Sequence, residues 1–373
     1  MPEIWLRYGS TDIVIDIKIE NLNEISKRFK YLTESSIDDT LSNFKEIKEN
    51  TLIFALSPSK ASSYVITKIM KFGKEKGLEI KVATWPIFQS VLKKNMLFYS
   101  VNSQVLQIDK FEFLEKIRKY NNIIFVSRTT LDPLFGYSGV PTIILRECEN
   151  KLMFDVLESR SEDFPRPGII NSSTKIAMEF FEKINTSSIE IISDHQGIIG
   201  IHHGEKSNHV FQNAINELHN TMISQTDLTK SIILSAGSEI EQHLTLTHSL
   251  YSLWNSIHLL KNNGTIVMFA ENSKGIGEGA LKMLIEGRIN FNEIGRIKKY
   301  YCGLEHLIFL NAIRERYRVG IVSSLPHYYI KSKFNFDVHN NGKEVVNTIL
   351  TRNGKNSKIT IGTNPDIMLF KNE

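Results

Sequence analysis

Residues 231–280 constrain the fold more than any other stretch of the chain. They open with SIILSAG, whose Ile-rich run suits a buried strand. Leu246, Leu250, Leu253, Trp254, Ile257 and Leu260 then recur at helical spacing. Asn262, Asn263 and Gly264 read as a helix stop, and residues 265–269 as a second buried strand. Gly275, Gly277 and Gly279 lead into a helix over 280–286. Strand, helix, strand, glycine-rich turn and helix make a βαβα unit, the building block of open parallel sheets. Ligands bind such sheets where loops leave the carboxyl ends of the strands. Two loops qualify, 235–242 and 270–279. The glycines of the second, ahead of a helix, admit two readings: amides facing an anion, or a tight turn alone, which is favoured.

The first half repeats the theme. Residues 3–8 and 12–19 read as a hairpin around Gly9. A broken helix is expected over 21–44, with Ser35 or Ser36 capping its second part. Strands at 51–56 and 78–83 alternate with helices at 61–72 and 86–95. The loop DPLFGYSGVP (132–141) is dense in turn residues and aromatics, a setting in which function concentrates. Residues 189–192 and 198–201 read as a second hairpin, and 207–221 as a helix. The polar stretch 224–229 sets a domain boundary, giving domains 1–223 and 224–373. The expected fold class is α/β, each domain carrying a mainly parallel sheet flanked by helices, with a ligand cleft between them.

A length of 373 residues suits two domains. The 45 basic and 41 acidic residues are too balanced to argue for nucleic acid. The two cysteines form no CxxC, which fits a reducing compartment. No apolar run approaches the roughly 20 residues of a membrane span, and the N-terminus does not read as a signal peptide. The expectation is a cytoplasmic protein with no membrane or nucleic-acid partner.

Across nearly the whole chain, in order, the motifs resemble the nickel-dependent lactate racemase family. They are the opening hairpin, SPSK (57–60), FGYSG (135–139), SDHQGIIGIHHGE (193–205), SAG (235–237) and AENSKGIGEG (270–279). The resemblance implies a cleft for a small hydroxy acid or other carboxylate, and isomerase chemistry by hydride transfer through a nickel-pincer nucleotide tethered to a lysine. Lys60 stands where the family has a carboxylate-holding arginine, so charge is kept but the bidentate fork is lost. Lys151 is a further candidate carboxylate holder.

The chemical positions match less well. One catalytic histidine of the family falls in the turn that here reads Ala83-Thr84-Trp85-Pro86. The second falls on Leu134, and the tethering lysine on Thr142. No histidine precedes His195 to serve as the nickel ligand. A glutamine and a lysine that bind substrate fall on His248 and Tyr251. Leucine transfers no proton, and a site without its imidazole loses a ligand suited to nickel. The pincer cofactor is therefore not expected here. Candidate ligand contacts are Lys60, Ser138, Gly139, Ser235, Glu271, Gly275 and Gly277, with His248 as the candidate proton carrier.

The histidines offer a competing reading. His202, His203 and His209, with Glu205, form the densest titratable cluster, readable as a metal site or as a polar hairpin end. Their spacing matches no standard zinc pattern, and adjacent strand residues point to opposite faces. The polar hairpin end is favoured. Asp194 and His195 pair in sequence, but no nucleophile-elbow serine accompanies them. Tyr300, Tyr301, Tyr328 and Tyr329, with Lys331 and Lys333, read as stacking residues for nucleic acid, as core and rim of a mixed sheet, which is preferred over stacking, or, for residues 326–333, as the lining of a cleft. Three functions follow: a cofactor-free binder of a small hydroxy acid, a hydroxy-acid isomerase working through His248, or a metal-dependent enzyme centred on the histidine cluster.

Overall fold

Alternating strands and helices build two layered sheets. The computed structural model describes residues 3–371 apart from 26–28, 45, 46, 102, 161, 163, 185 and 226. The first sheet has six strands, ordered Ile198–Gly204, Ser187–Ser193, Asn122–Arg128, Thr51–Ala55, Ile80–Thr84 and Val105–Gln107. It is parallel except for the first pair, an antiparallel hairpin. The second sheet also has six, ordered Asp337–His339, Arg318–Val322, Leu260–Phe269, Thr229–Ser235, Ile359–Gly362 and Leu22–Ile25, and is parallel throughout. Thr51–Ala55 and Ser187–Ser193 are buried at every position, because helices or neighbouring elements cover both faces.

After a separate two-stranded hairpin the chain enters the second sheet, crosses to the first and returns. Leu22–Ile25 pairs with Ile359–Gly362. The hairpin of Glu3–Tyr8 and Thr11–Asp16 brings Ile4, Leu6, Ile15 and Ile17 into one cluster with Ile233, Val267, Phe269 and Ile361. These opening elements cover an edge and a face that the later strands leave open. The helix expected from residue 21 is accordingly a strand at its start, and residues 26–28 lie outside the described residues. The helix itself is Glu34–Ser42, where the Thr33 hydroxyl accepts the Ser36 amide at 3.2 Å.

The helix Leu246–Ile257 carries the expected apolar face, with Leu250, Leu253 and Trp254 fully buried. Its end differs from the expectation. Residues 262–264 lie within the strand Leu260–Phe269 instead of stopping the helix. The ladder skips there, Thr229 facing Leu260 and Ser231 facing Thr265, and Asn263 takes a φ of 61°. The turn-forming residues make a bulge. One apolar core joins the two halves: Leu134, Phe135, Leu145 and Met153 share a cluster with Leu250, Leu253, Trp254 and Leu281. Among the described residues no helix is long and apolar enough to cross a membrane.

Candidate functional site

The carboxyl ends of the two sheets meet around a buried arginine. Arg128 closes the strand Asn122–Arg128, and its side chain is 1% exposed. Nη1 donates to Glu241 Oε1 at 2.8 Å. Nη2 donates to Asp366 Oδ2 at 2.9 Å, to the Ser193 carbonyl at 2.7 Å and to Ser238 Oγ at 3.0 Å. Ser193 belongs to the first sheet, whereas Ser238, Glu241 and Asp366 follow strands of the second. The Gln242 amide also donates to Asp366 Oδ2, at 2.8 Å. A buried ion pair of this kind is costly to break, because it strands a desolvated charge.

Carboxyl groups outnumber the cation. Glu239 is buried beside this cluster, and burial, reinforced by the Glu241 charge, pushes its carboxyl up to about 8. Burial raises Glu241 as well, against the pull of Arg128. Arg128 bonds Glu241 directly, so Glu239 takes the proton of the two. Glu239 Oε2 lies 3.4 Å from the Lys60 amide, and Oε1 is buried with no hydrogen-bond partner. Lys60 opens the helix Lys60–Glu75. Ser59 and Ser62 form a reciprocal cap at 3.0 and 2.7 Å, which fixes that end. The Lys60 side chain is exposed.

His248 is a second buried titratable group. Its Nδ1 is 2.7 Å from Thr245 Oγ1, and its ring lies 5.4 Å from that of Phe88 in the first half. Burial pulls its pKa down to about 4, so the imidazole is neutral at neutral pH. The Lys110–Glu147 ion pair is close enough to act on it. That pair also acts on the thiols of Cys148 and Cys302, both pushed up to about 12 by burial.

Several of the remaining candidate contacts take part in hydrogen bonds or close packing within the chain. Ser235 Oγ lies 2.8 Å from the carbonyls of Arg7 and Gly237. Glu271 sits against Gly9, where an added Cβ would lie 1.7 Å from Glu271 Oε2. Carbonyls of the glycine loop cap a helix. Gly275 and Ile276 accept the amides of Leu246 and Thr247 at 3.0 and 3.1 Å, and the Gly275 amide turns back to Asn272 at 2.8 Å. Gly277 has a φ of 95°, and an added Cβ there would lie 2.5 Å from Thr247 Oγ1. Ser138 and Gly139 precede the helix Val140–Cys148, near the buried Glu190. Glu190 accepts the Val140 amide at 2.7 Å and the Thr129 hydroxyl at 3.0 Å, and burial pushes it up to about 8. Lys151 is exposed on the helix Asn150–Glu158.

The histidine cluster does not converge. His202 Nε2 meets Glu217 at 2.5 Å, whereas His203 Nε2 meets the Thr40 carbonyl at 3.0 Å. Among the described residues no group of three or more His, Cys, Asp or Glu side chains is placed to hold a metal ion. Tyr300 is buried and bonds Glu305, whereas Tyr328 is exposed. The positions that the sequence resemblance sets against catalytic and cofactor residues make other contacts here. Leu134 is fully buried in the shared core. The Thr142 hydroxyl closes a cap with Gly139 at 3.0 Å. Trp85 packs on Phe54 and Phe113, with ring centroids 4.7 and 5.1 Å away.

Arg128, Glu190, Glu239, Glu241 and Asp366 were not among the expected site residues. Two of them carry a sequence signal: Arg128 ends the apolar run NIIFVSR, and Glu190 interrupts SSIEIIS. A charge inside a buried strand requires a partner.

No protein-family model matches the chain, and no curated protein does. Solved structures do. The lactate racemase apoprotein from Thermoanaerobacterium thermosaccharolyticum superposes with a TM-score of 0.70 at 13% identity, covering 99% of this chain and 100% of that one. A structural-genomics protein from Thermotoga maritima superposes with a TM-score of 0.66 at 12% identity, covering 92% and 99%. The chain therefore has the fold of the lactate racemase apoprotein over essentially its full length.

Proposed function

We propose that this protein binds a small hydroxy acid or related carboxylate where the carboxyl ends of its two sheets meet, and that it does so without the nickel-pincer cofactor. The observation that carries the reading is Glu239. Its carboxyl is buried, its Oε1 lacks a partner, and its Oε2 faces the first amide of the helix that Lys60 opens. Protonated, it offers a hydroxyl group an acceptor and a donor. The exposed ammonium of Lys60, the residue whose amide faces Glu239, suits the acid's carboxylate, and the helix N-terminus adds to that attraction.

The residues at the cofactor positions do not fit the pincer group. A fully buried leucine supplies neither a ligand nor a proton, and the Thr142 hydroxyl is consumed by its cap. The isomerase reading needs a base working near neutral pH, and the low pKa of His248 disfavours it. The separation of His202 from His203 disfavours the metal-dependent reading.

Ligand-induced stabilisation tests the proposal. At 100 times its Kd, a ligand that binds only the folded state adds about 2.7 kcal/mol. Lactate and malate are the first probes. The expected result is a shift that Lys60→Ala weakens at least tenfold in Kd. No shift with either acid, or an equal shift in the variant, rejects the reading.

A further inference from the structure

The helix that presents Lys60 carries an aromatic neighbour one turn on. Residues four apart share a helix face, so Tyr64 stands beside Lys60. The Tyr64 ring packs edge-on against Tyr99 at 5.1 Å, and Tyr99 against Phe98 at 5.1 Å. Tyr64 is held from behind: its hydroxyl donates to Glu34 at 2.9 Å, and Lys68 Nζ lies 5.3 Å from its ring centroid.

Tyr99 is held by a fixed chain end. It terminates the helix Gln89–Phe98, its amide bonding Met96 at 3.1 Å. Ser100 follows at a φ of 62°, a left-handed conformation uncommon for serine, and Val101 turns back to Met96 at 3.1 Å. Tyr99 is half-buried, and Glu239 is near enough for its charge to help raise the phenol's pKa. Phe98, beyond it, is 75% exposed. Glu239 thus lies near both the Lys60 amide and Tyr99, and Tyr99 in turn touches the rings of Tyr64 and the exposed Phe98.

We infer that this aromatic lip selects hydroxy acids bearing an aromatic ring, the carboxylate on Lys60, the hydroxyl on Glu239 and the ring against Tyr99 and Phe98. The inference rests on the proposed carboxylate site and specifies its substrate class. Ring-on-ring contact adds affinity beyond simple burial. A short acid such as lactate fills only the polar end.

The test measures Kd for lactate and 3-phenyllactate, both enantiomers of each, by calorimetry on the full chain. Wild type is expected to bind phenyllactate at least tenfold more tightly than lactate. Tyr99→Ala is expected to collapse that ratio to below threefold. Phe98→Ala, at an exposed position with little bearing on folding, is expected to reduce the ratio about threefold, in keeping with one edge contact. Equal affinity of the wild type for the two acids overturns the inference and leaves the carboxylate site standing. A ratio unchanged in both variants overturns it as well. Binding of neither acid removes the carboxylate site and this inference together.

Discussion

Replacing Glu239 by Gln should flatten the dependence of stability on pH. The Glu239 carboxyl is pushed from its usual 4.5 to about 8 in the folded protein. Between those values the folded chain holds close to one proton more than the unfolded chain. Stability rises with pH only where the unfolded state holds more protons, so here the sign is negative. The penalty is absent below pH 4.5, grows as pH rises, and levels off above about 8. Each pH unit inside the window costs about 1.4 kcal/mol. Between about pH 6 and 7.5 wild type should lose about 2 kcal/mol more than Glu239→Gln. Glu190, also pushed up to about 8, contributes equally to both proteins and cancels in the comparison. Glutamine retains an oxygen for the Lys60 amide, so the contact at 3.4 Å survives. Urea unfolding at a series of pH values reads the difference directly. Parallel curves for the two proteins would refute the protonated, buried carboxyl on which the ligand reading depends.

Arg128→Met removes the cation between Glu241 and Asp366 and should destabilise the protein by about 3–5 kcal/mol, read as a lower urea midpoint with the slope unchanged. Gly277→Ala places a methyl group 2.5 Å from Thr247 Oγ1 at a φ of 95°, and should cost about 1–3 kcal/mol in the same assay. The His248 imidazole should stay neutral down to about pH 4, so its ring resonances in an NMR titration should not move between about pH 8 and 5.5, where a free histidine titrates.

Local chemistry made part of this molecule legible. The helix Leu246–Ile257 follows from apolar spacing, and the hairpin from Ser187 to Gly204 from two Ile-rich runs around a turn. The strand Leu22–Ile25 was not legible, because its partner Ile359–Gly362 lies at the far end of the chain. Nor was the bulge at Asn263, since Asn and Gly mark helix ends and bulges alike. At the site, Lys60 is readable from its turn, but what faces it is not. Glu239 and Glu241 occupy a polar loop in the sequence and are buried by packing against the other half. Their altered acidity is a property of that contact, which no local pattern encodes. The loop around Gly275 shows the converse: a glycine pattern associated with ligands serves here to satisfy the amides of Leu246 and Thr247.

The return of the chain to its own beginning bears on how the protein is made. Asn23 and Thr360, 337 positions apart, bond at 3.1 Å. On the ribosome the hairpin Glu3–Tyr8 and Thr11–Asp16 emerges hundreds of residues ahead of Ile233, Val267 and Ile361, and must wait, apolar side uncovered, until they have been synthesised. The segment between has sheet and helices enough to condense meanwhile, so assembly should run from the middle outwards. Removing Leu22–Ile25 would then bare the edge of Ile359–Gly362, removing Ile359–Gly362 would bare that of Thr229–Ser235, and a half-protein started at residue 224 would emerge with the first of these edges open to a second copy of itself.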